Sequence, residues 1–309
     1  MNKIGYIILN YNNWHDTLKC LNSLNSVIKK NEFIYVVDNA SNENPPQEYI
    51  ELLKYPYINH IQSSINGGFS YGNNIGADLA ISEGCDYIFI CNNDLIFNES
   101  ISESMLEYLM NNSDVAIVSP KILGTNGLPQ EINTGDSLTL LNKYKYILKS
   151  TPFSFLVHKF ISKNNALDYK YDVALELYSV SGCCFLVAKS ALKIIFPLDE
   201  EFFLYMEEQA IGAKLKLHNL KAVLLPSVSV VHAHGQSTAK VAAFSFSCLA
   251  ESEIIFFKKY RKSSLIFIMP LIFLRIFQYT YRSLRRNDYK KNLSVFFYKI
   301  KSALKKKYA

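Results

Sequence analysis

The sequence predicts an α/β fold, a mostly parallel sheet flanked by helices, followed by a helical C-terminal tail. Three observations predict this class. Short apolar runs alternate with helix-type periodicity through the first 120 residues, as in β-α-β units. Polar loops rich in Asn, Ser and Gly follow the apolar runs. Hydrophobic residues make up 49% of the 309 residues and charged residues 19%, a composition that excludes disordered chains and disulfide-stabilised miniproteins.

The predicted elements follow one another in chain order and define two regions. Strands are predicted at residues 3–10, 33–38, 57–62, 86–91 and 115–119, and helices at 14–30 and 70–83. After a segment without periodicity (124–172), which we interpret as an insertion, a strand or strand pair is predicted at 177–188, a helix at 205–217 and a strand at 222–225. We therefore expect one α/β domain over residues 1–240 and a tail over residues 241–309.

Charge is distributed unevenly between these two regions. Residues 254–309 contain 15 Lys and Arg against one acid, Asp288, so this segment carries +14, whereas the rest of the chain carries −8. Cations interleaved with Leu, Ile and Phe favour binding to an anionic membrane surface. In the alternative, the aromatic residues pack on the domain or on a second subunit. A nucleic-acid-binding module is a third interpretation, disfavoured because the basic residues alternate with apolar runs. No window reaches the roughly 20 apolar residues of a membrane-crossing helix.

The six cysteines and the N-terminus bear on the compartment. The cysteines form no CxxC pair, and several lie in apolar runs, where reduced, buried thiols are usual. The apolar run at residues 4–9 is too short for a signal peptide. Both observations predict a cytoplasmic protein.

Polar residues follow the predicted strands, at the sheet edge where α/β proteins bind ligands. Asn10 and Asn12 follow the first strand, and Asp38 ends the second. A carboxylate there can accept a hydrogen bond from a ligand's ring N–H, or it can cap its own loop in an Asx turn. Asp94, after Asn92 and Asn93, can bind a divalent cation that bridges a diphosphate, or it can cap the following helix.

A glycine-rich stretch follows the third strand. Its sequence is Asn66-Gly67-Gly68-Phe69, followed by Gly72-Asn73-Asn74. Glycines permit the backbone to approach another group closely. The stretch does not match GxGxxG and follows the wrong strand, which disfavours a dinucleotide-dependent oxidoreductase.

Two further pairs of residues are candidates for catalysis or metal binding. Glu207 and Glu208 lie on a predicted helix, where neighbours point about 100° apart. One of them can therefore face a cleft as a general base, and the other is then solvated or ion-paired; alternatively both are exposed. His232 and His234 follow an apolar strand on one face and can ligate a metal or line a site.

Taken in order, these segments resemble the family 2 inverting glycosyltransferases. The segments are ILNYN, VVDNAS, NGGFSYGNN, CNNDL, SGCCFLVAKSAL, DEEFFLYMEE and VVHAHGQS. The most similar subgroup is the rhamnosyltransferase-like enzymes of bacterial cell-surface polysaccharide assembly. The resemblance covers residues 3–237, whereas the tail and segment 124–172 match no motif.

The resemblance implies a GT-A fold, a nucleotide-sugar donor, and Mg²⁺ or Mn²⁺ as cofactor. It implies that Asp38 contacts the nucleobase. Residues implied to lie near the nucleotide are Asn10, Asn12, Asn66, Gly67, Phe69, Asn74, Asn92 and Asn93. Asn92 stands where other members have the first Asp of a DxD motif.

The resemblance also implies the metal and catalytic residues. Asp94 is the metal-binding acid, His232 helps to hold the metal or diphosphate, and Glu208 is the catalytic base. The usual pattern E-D-x-D-L-x-x-R is broken, because Ala210 replaces the second acid and Lys214 replaces the Arg. A catalytically degenerate partner of another transferase, or a binding protein, is therefore the alternative to an active enzyme.

The expected activity is that of a hexosyltransferase in cell-surface polysaccharide synthesis. Rhamnose from dTDP-rhamnose is the expected donor, by resemblance alone, and a glycan or lipid-linked sugar is the expected acceptor. We expect segment 124–172 to lie on the acceptor side. The basic tail predicts a peripheral protein at the inner face of the cell membrane, and an oligomer is compatible with the sequence.

Overall fold

A computed structural model describes residues 2–130, 137–149, 173–233 and 242–308. Nine described strands form one sheet in the order β3-β2-β1-β4-β8-β6-β9-β5, and β7 pairs with β9. The strands are β1 (Ile4–Asn10), β2 (Glu32–Asp38), β3 (Ile58–Gln62), β4 (Tyr87–Asn92), β5 (Leu95–Ile96), β6 (Val115–Leu123), β7 (Leu175–Leu177), β8 (Cys184–Val187) and β9 (Lys221–His232).

Helices flank the sheet and form the C-terminal region. They are α1 (Trp14–Asn25), α2 (Gln47–Leu52), α3 (Gly68–Ser82), α4 (Ser102–Asn111), α5 (Leu140–Lys149), α6 (Leu192–Ile195), α7 (Glu207–Leu217), α8 (Ala242–Lys259), α9 (Leu265–Ser283), α10 (Asn287–Lys291) and α11 (Leu293–Lys305). The predicted α/β class and helical tail are confirmed.

Strand direction sets where polar residues meet. Strands β3, β2, β1 and β4 are mutually parallel, and β6 is parallel to β9, whereas β8, β5 and β7 run antiparallel to their neighbours. The register places Asn10 beside Asp38 and Leu9 beside Asn92. The polar residues that end three parallel strands therefore lie along one sheet edge, as predicted.

Helix α3 packs against the sheet through two glycines. A Cβ on Gly72 would lie 2.2 Å from a methyl of Leu9, and a Cβ on Gly76 would lie 2.5 Å from a methyl of Ile7. Neither distance is possible for a real side chain. These glycines therefore allow the helix to approach β1 closely, and this contact positions its N-terminal turn at the sheet edge.

The tail helices form a second hydrophobic core. Its buried aromatic residues include Phe246, Phe256, Phe257, Tyr279, Tyr289 and Phe296. Phe202 and Ala210 from the α/β region belong to the same core. The sequence alternative in which tail aromatic residues pack on the domain is thus correct for this set.

Ion pairs also join the tail to the segment before α7. Lys259 Nζ lies 2.8 Å from Asp199 Oδ2 and 2.7 Å from Glu201 Oε1, and Lys306 Nζ lies 2.8 Å from Glu201 Oε2. Burial opposes ionisation of Glu201, but hydrogen bonds from Lys259, Lys306 and Tyr308 outweigh it and lower its pKa to about 2. Glu201 is therefore a charged anchor for the tail.

Two sequence expectations require correction. The segment 124–172 contains a helix, α5, although its residues 131–136 and 150–172 lie outside the described residues. Although the sequence contains no window of roughly 20 apolar residues, the tail forms a continuous 19-residue helix, α9, that contains Pro270. Among the described residues, α9 is the one helix long and apolar enough to cross a membrane by length and composition.

Candidate active site

Asp38 and Asn10 form a buried pair at the ends of β2 and β1. Asn10 is fully buried, and its Nδ2 donates to Asp38 Oδ1 at 3.4 Å and to Ser41 Oγ at 3.2 Å. The Ser41 backbone N–H and hydroxyl also donate to Asp38 Oδ1. The Asx-turn alternative is therefore present in the structure. All three of these hydrogen bonds to the Asp38 carboxylate reach Oδ1.

Asn12 shapes the loop after β1. It has a positive φ of 51°, which Asn tolerates better than most residues. Its N–H donates to Ser41 Oγ at 2.8 Å, and its Oδ1 accepts the N–H of Asn42 at 2.7 Å. Asn12 therefore holds the loops after β1 and β2 together.

The glycine-rich turn contacts protein backbone. Gly68 has a φ of +89°, and a Cβ there would lie 2.2 Å from the carbonyl oxygen of Phe203. The next residue, Phe69, is half-buried, and its N–H donates to the same carbonyl at 2.9 Å. Gly67 precedes the first turn of α3. The close approach predicted from the glycines is therefore to the segment before α7.

Two asparagines fix this corner. Asn66 Oδ1 accepts the Gly68 N–H at 3.1 Å and the Asn39 side-chain N–H at 2.9 Å. Asn74 exchanges hydrogen bonds with the Leu198 backbone at 2.7 and 3.0 Å and donates to Glu200 at 2.8 Å. The side-chain amide of Asn74 is thus fully used in hydrogen bonds to residues 198–200. Asn74 can contribute to a nucleotide site only by positioning those residues.

Asp94 faces His232 across the sheet edge. Leu95 and His232 pair between β5 and β9, and His232 Nε2 lies 3.1 Å from Asp94 Oδ1, with both side chains about nine-tenths buried. Gln130 fixes the ring, because its Oε1 lies 3.0 Å from His232 Nδ1 while its Nε2 donates to the His232 carbonyl. Nδ1 therefore carries a proton, and Nε2 points at the carboxylate.

These residues fit a divalent cation. His232 Nε2 and Asp94 Oδ1 lie 3.1 Å apart, so one nitrogen and one oxygen that can ligate a cation converge at the same point. Asn92 Nδ2 is 3.5 Å from the same Nε2. Mg²⁺ needs one or two carboxylates and completes its shell with phosphate and water. The described residues include no group of three His, Cys, Asp or Glu that could hold a metal ion by itself, so phosphate oxygens and water would have to supply the remaining ligands. His234 lies outside the described residues.

Asn93 belongs to the first loop rather than to the Asp94–His232 pair. Its Nδ2 donates to Thr17 Oγ1 at 2.9 Å, and the Thr17 hydroxyl donates to Asn10 Oδ1 at 2.8 Å. Thr17 thereby links the ends of β1 and β4. Thr17 is absent from the sequence prediction because it lies on the buried face of α1 and belongs to no motif.

Glu208 lies at the same edge, in the first turn of α7. The N–H of Gly182 lies 3.3 Å from Glu208 Oε1, and a Cβ on Gly182 would come within 2.8 Å of that oxygen. The neighbouring Cys183 carbonyl accepts the Asn92 N–H. Burial, the neighbouring Cys184 and the nearby charges of Asp94 and Glu208 raise the pKa of the Cys183 thiol. Cys183 therefore lies close to both carboxylates.

Glu207 is buried, contrary to the sequence expectation for one of the two glutamates, and Glu208 is half-buried. Burial raises the pKa of Glu208. Glu207 is 5% exposed, its Oε1 has no hydrogen-bond partner among the described residues, and burial followed by the charge of Glu208 raises its pKa. The prediction that the second glutamate is solvated or ion-paired is wrong, because the tail covers this turn.

The buried Glu207 has a measurable consequence. A raised carboxyl pKa stabilises the fold below the unfolded-state value of 4.5, and this contribution is lost as pH rises through the folded-state pKa. We expect Glu207→Gln to increase the free energy of unfolding by roughly 1–3 kcal/mol at pH 8, because the neutral amide removes the cost of desolvating an ionised carboxylate. Thermal unfolding at pH 8 and pH 4 tests this. An increase of equal size at both values would contradict it.

The turn that presents the glutamates is strained. Tyr205 and Met206 both have a φ of +74°, at a typical cost of about 1–3 kcal/mol each. The tail holds this turn, because Ser252 Oγ donates to the Leu204 carbonyl at 2.9 Å and the Phe244 ring packs against Phe203. The orientation of Glu208 therefore depends on α8.

The structure accounts for both departures from the family pattern. Ala210 is 3% exposed and packs in the tail core, where an acid would be buried without a partner. Lys214 Nζ donates to the carbonyls of Ile195 and Pro197 at 2.8 and 2.7 Å. Its pKa is lowered by burial. Both replacements suit the local packing of α7.

Solved structures resemble this fold. A structure of GalNAc-T7 with UDP, GalNAc and Mn²⁺ matches 84% of this chain and 49% of its own, with a TM-score of 0.59 at 11% identity. Residues 1–349 of TarS from S. aureus in complex with UDP match 84% of this chain and 73% of their own, with a TM-score of 0.51 at 18% identity. These likenesses confirm the predicted GT-A fold.

Sequence relatives point the same way. A low-salt glycan biosynthesis hexosyltransferase of Haloferax volcanii is 26% identical over 75% of this chain and 67% of its own length. An N-acetylglucosaminyl-diphospho-decaprenol L-rhamnosyltransferase of Mycobacterium tuberculosis is 34% identical over 25% of each chain. The family model "Glycosyl transferase family 2" matches residues 6–194, which include the Asp38 and Asp94 loops. The chain therefore belongs to glycosyl transferase family 2.

Proposed function

We propose that this glycosyltransferase is an inverting enzyme that moves a sugar from a nucleotide donor to a lipid-linked glycan acceptor. The observation that carries the proposal is the half-buried Glu208 at the sheet edge that also presents Asp94 and His232. A carboxylate base beside a site suited to a diphosphate is the arrangement that a single displacement needs. The name of the mycobacterial relative supports a rhamnosyl donor and a polyprenyl-linked acceptor, over a quarter of the chain.

The reaction is one in-line displacement at the anomeric carbon. The acceptor oxygen forms a bond to that carbon as the bond to the diphosphate oxygen breaks, and the nucleoside diphosphate leaves with the bonding electrons. Glu208 takes the acceptor hydroxyl proton in the same step. Because a single displacement occurs, the configuration at the carbon inverts. The raised pKa of Glu208 makes it a stronger base than a solvated glutamate.

The remaining residues hold the donor. Asp38 Oδ2 would accept a nucleobase N–H, and the loops fixed by Asn10 and Asn12 would border the nucleotide. Asp94 and His232 would hold Mg²⁺ or Mn²⁺, which when bound neutralises charge on the departing diphosphate.

A donor panel tests the proposal. The full chain is incubated with dTDP-rhamnose and with UDP- and GDP-sugars, with and without Mn²⁺, in the presence of a polyprenyl-diphosphate-linked N-acetylglucosamine acceptor. Transfer of rhamnose with an inverted linkage is the expected result. Donor binding without turnover on any acceptor would favour the alternative, a degenerate partner protein, to which the loss of an acid at Ala210 points.

Asp94→Ala should abolish the cation dependence of donor binding while leaving the fold intact, because Asp94 provides the site's carboxylate. Titration calorimetry with dTDP-rhamnose, with and without Mn²⁺, measures this. Asp78→Ala, a change of the same type at an exposed residue of α3, is the matched control and should bind as the wild type does. Unchanged Mn²⁺-dependent affinity in Asp94→Ala would exclude this residue from the site.

A further inference from the structure

An apolar stripe runs along the outer face of α9. Its central residues are Ile266, Phe273, Phe277 and Leu284, which are 75%, 63%, 66% and 80% exposed. Spacings of seven and four residues place them on one face of a helix. The stripe extends over about 27 Å at 1.5 Å per residue. An exposed apolar surface of this length is unusual on a soluble protein and indicates an interaction site.

The opposite face of α9 is packed on the protein. Its buried residues are Ile268, Leu271, Ile272, Arg275 and Tyr279. Arg275 makes two hydrogen bonds to the buried carboxylate of Glu253 on α8, and Tyr279 stacks on Phe296 with ring centroids 4.0 Å apart. A helix crossing a bilayer would have to break these contacts and take Arg275 into lipid. The packing therefore favours a helix that lies on a membrane.

Cations lie at both ends of the stripe. Lys262 is exposed before the first turn, and Arg282, Arg285 and Arg286 are exposed at the other end. The Arg285 guanidinium lies 4.4 Å from the Tyr281 ring. The apolar ring and the charge of the arginine are therefore adjacent, as in side chains that lie at a membrane interface. An apolar stripe with cations at both ends is complementary to a membrane whose lipid tails lie below anionic headgroups.

We infer that the outer face of α9 docks on an anionic membrane surface, with the apolar stripe inserted and the flanking cations among the headgroups. A second copy of the chain fits this face less well. A twofold axis that pairs two α9 helices antiparallel would place Arg285 of one copy near Lys262 of the other, and these charges repel; the neighbouring Arg286 is paired with Asp288. The anionic surface is attractive at both ends.

Residues 137–149 connect the docked helix to the active site. Tyr144 on α5 donates to the Phe267 carbonyl on α9, and the Leu138 N–H donates to Gln209 Oε1 at 2.9 Å, beside Glu208. If the proposed function holds, a lipid-linked acceptor whose chain stays in the membrane would therefore meet the catalytic turn close to the docked face. This step rests on the proposed function, whereas membrane docking itself does not.

Vesicle binding tests the inference on the full-length protein without donor or acceptor. We expect the wild type to co-sediment with phosphatidylcholine vesicles that contain phosphatidylglycerol, and less with phosphatidylcholine alone or at high salt. Phe273→Glu with Phe277→Glu should weaken binding at least tenfold. The matched control, Met110→Glu with Leu217→Glu, adds the same charge at exposed apolar residues elsewhere and should bind as the wild type does.

Four results would overturn the inference. They are a wild type that does not bind phosphatidylglycerol vesicles, equal binding by the two double variants, resistance to alkaline carbonate extraction, and a wild-type dimer that the α9 variant dissociates. Resistance to extraction would indicate a membrane-crossing helix, and such a dimer would show that a second copy covers the face. Phe273→Ser with Phe277→Ser provides the same comparison if the glutamates impair folding. Binding without sugar transfer would contradict only the proposed function.

Discussion

Replacing Glu208 with Gln is expected to lower kcat by about 10²–10⁴-fold, the usual contribution of a positioned general base. Gln keeps the size of the side chain and can still occupy the space beside Gly182, but it cannot take a proton from the acceptor. The affinity for the donor should change little, because Glu208 lies beside Gly182 rather than in the Asp38 or Asp94 loops. Steady-state kinetics with the acceptor, and calorimetry with the donor alone, measure the two quantities.

The pH profile distinguishes a base from a structural residue. Burial raises the pKa of Glu208 above the ordinary 4.5, so the active carboxylate form is lost at a higher pH than for a solvated glutamate. We expect kcat/KM of the wild type to fall as pH decreases through this raised pKa. The slow residual rate of Glu208→Gln should lack this acidic limb.

Glu207→Gln is the matched control for that experiment. It is the same substitution at the neighbouring residue, whose side chain points about 100° away on the helix. It should reduce kcat far less. If Glu207→Gln were the inactive variant and Glu208→Gln the active one, the roles of the two residues would be reversed. If both variants kept full activity, neither glutamate would be the base.

The sheet and its ligand edge could be predicted because their signals are local. Strands β1, β2 and β4 are short, continuous apolar runs, and each begins or ends within one residue of its prediction. Each is followed by polar residues, and parallel strands align their carboxyl ends. The positions of Asn10, Asp38 and Asp94 along one edge follow from these two facts alone.

Elements defined by distant contacts could not be predicted. Strand β5 has two residues and exists only through its pairing with β9. Strand β9 continues seven residues past its predicted end at 225, with an irregularity in its pairing to β6, because polar residues interrupt its apolar pattern. Gln130, which orients His232, follows no motif, and its role depends on a contact 102 residues away.

The burial of Glu207 has the same cause. Two adjacent acids on a helix normally indicate a solvated surface, and the sequence around α7 contains no sign of a cover. The cover comes from α8, through contacts such as that of Ser252 with the Leu204 carbonyl, 48 residues apart in the chain. Helix α5 was also missed, because Lys143 occupies its buried face and hides the apolar periodicity.

Replacing Glu253 with Gln is expected to destabilise the tail core by about 3–5 kcal/mol, the cost of removing one member of a buried ionic group. Glu253 is fully buried on α8. Its Oε1 lies 2.5 Å from Lys143 Nζ and 2.6 Å from an Arg275 nitrogen, and its Oε2 accepts the Arg275 Nε–H at 2.7 Å. Gln would leave both cations buried without a counter-charge.

The effect should depend on pH in a defined direction. Burial alone would raise the pKa of Glu253, but the charges of Arg275 and Lys143 outweigh it and lower the pKa. The carboxylate therefore stabilises the fold above the unfolded-state value of 4.5, and this contribution is lost as pH falls through the folded-state pKa. The difference between the variant and the wild type should be full at pH 7 and shrink below pH 4.5.

Chemical denaturation at pH 7 and pH 4, followed by circular dichroism, measures this difference, and hydrogen exchange shows whether α8 and α9 open first. Glu51→Gln removes an exposed carboxylate that pairs with Lys54, so it serves as the matched control and should leave stability unchanged. Equal stability of Glu253→Gln and the wild type at pH 7 would mean that the three charges do not support the tail core. Selective opening of α8 and α9 would instead show that this buried group couples α9 to the strained turn that carries Glu208.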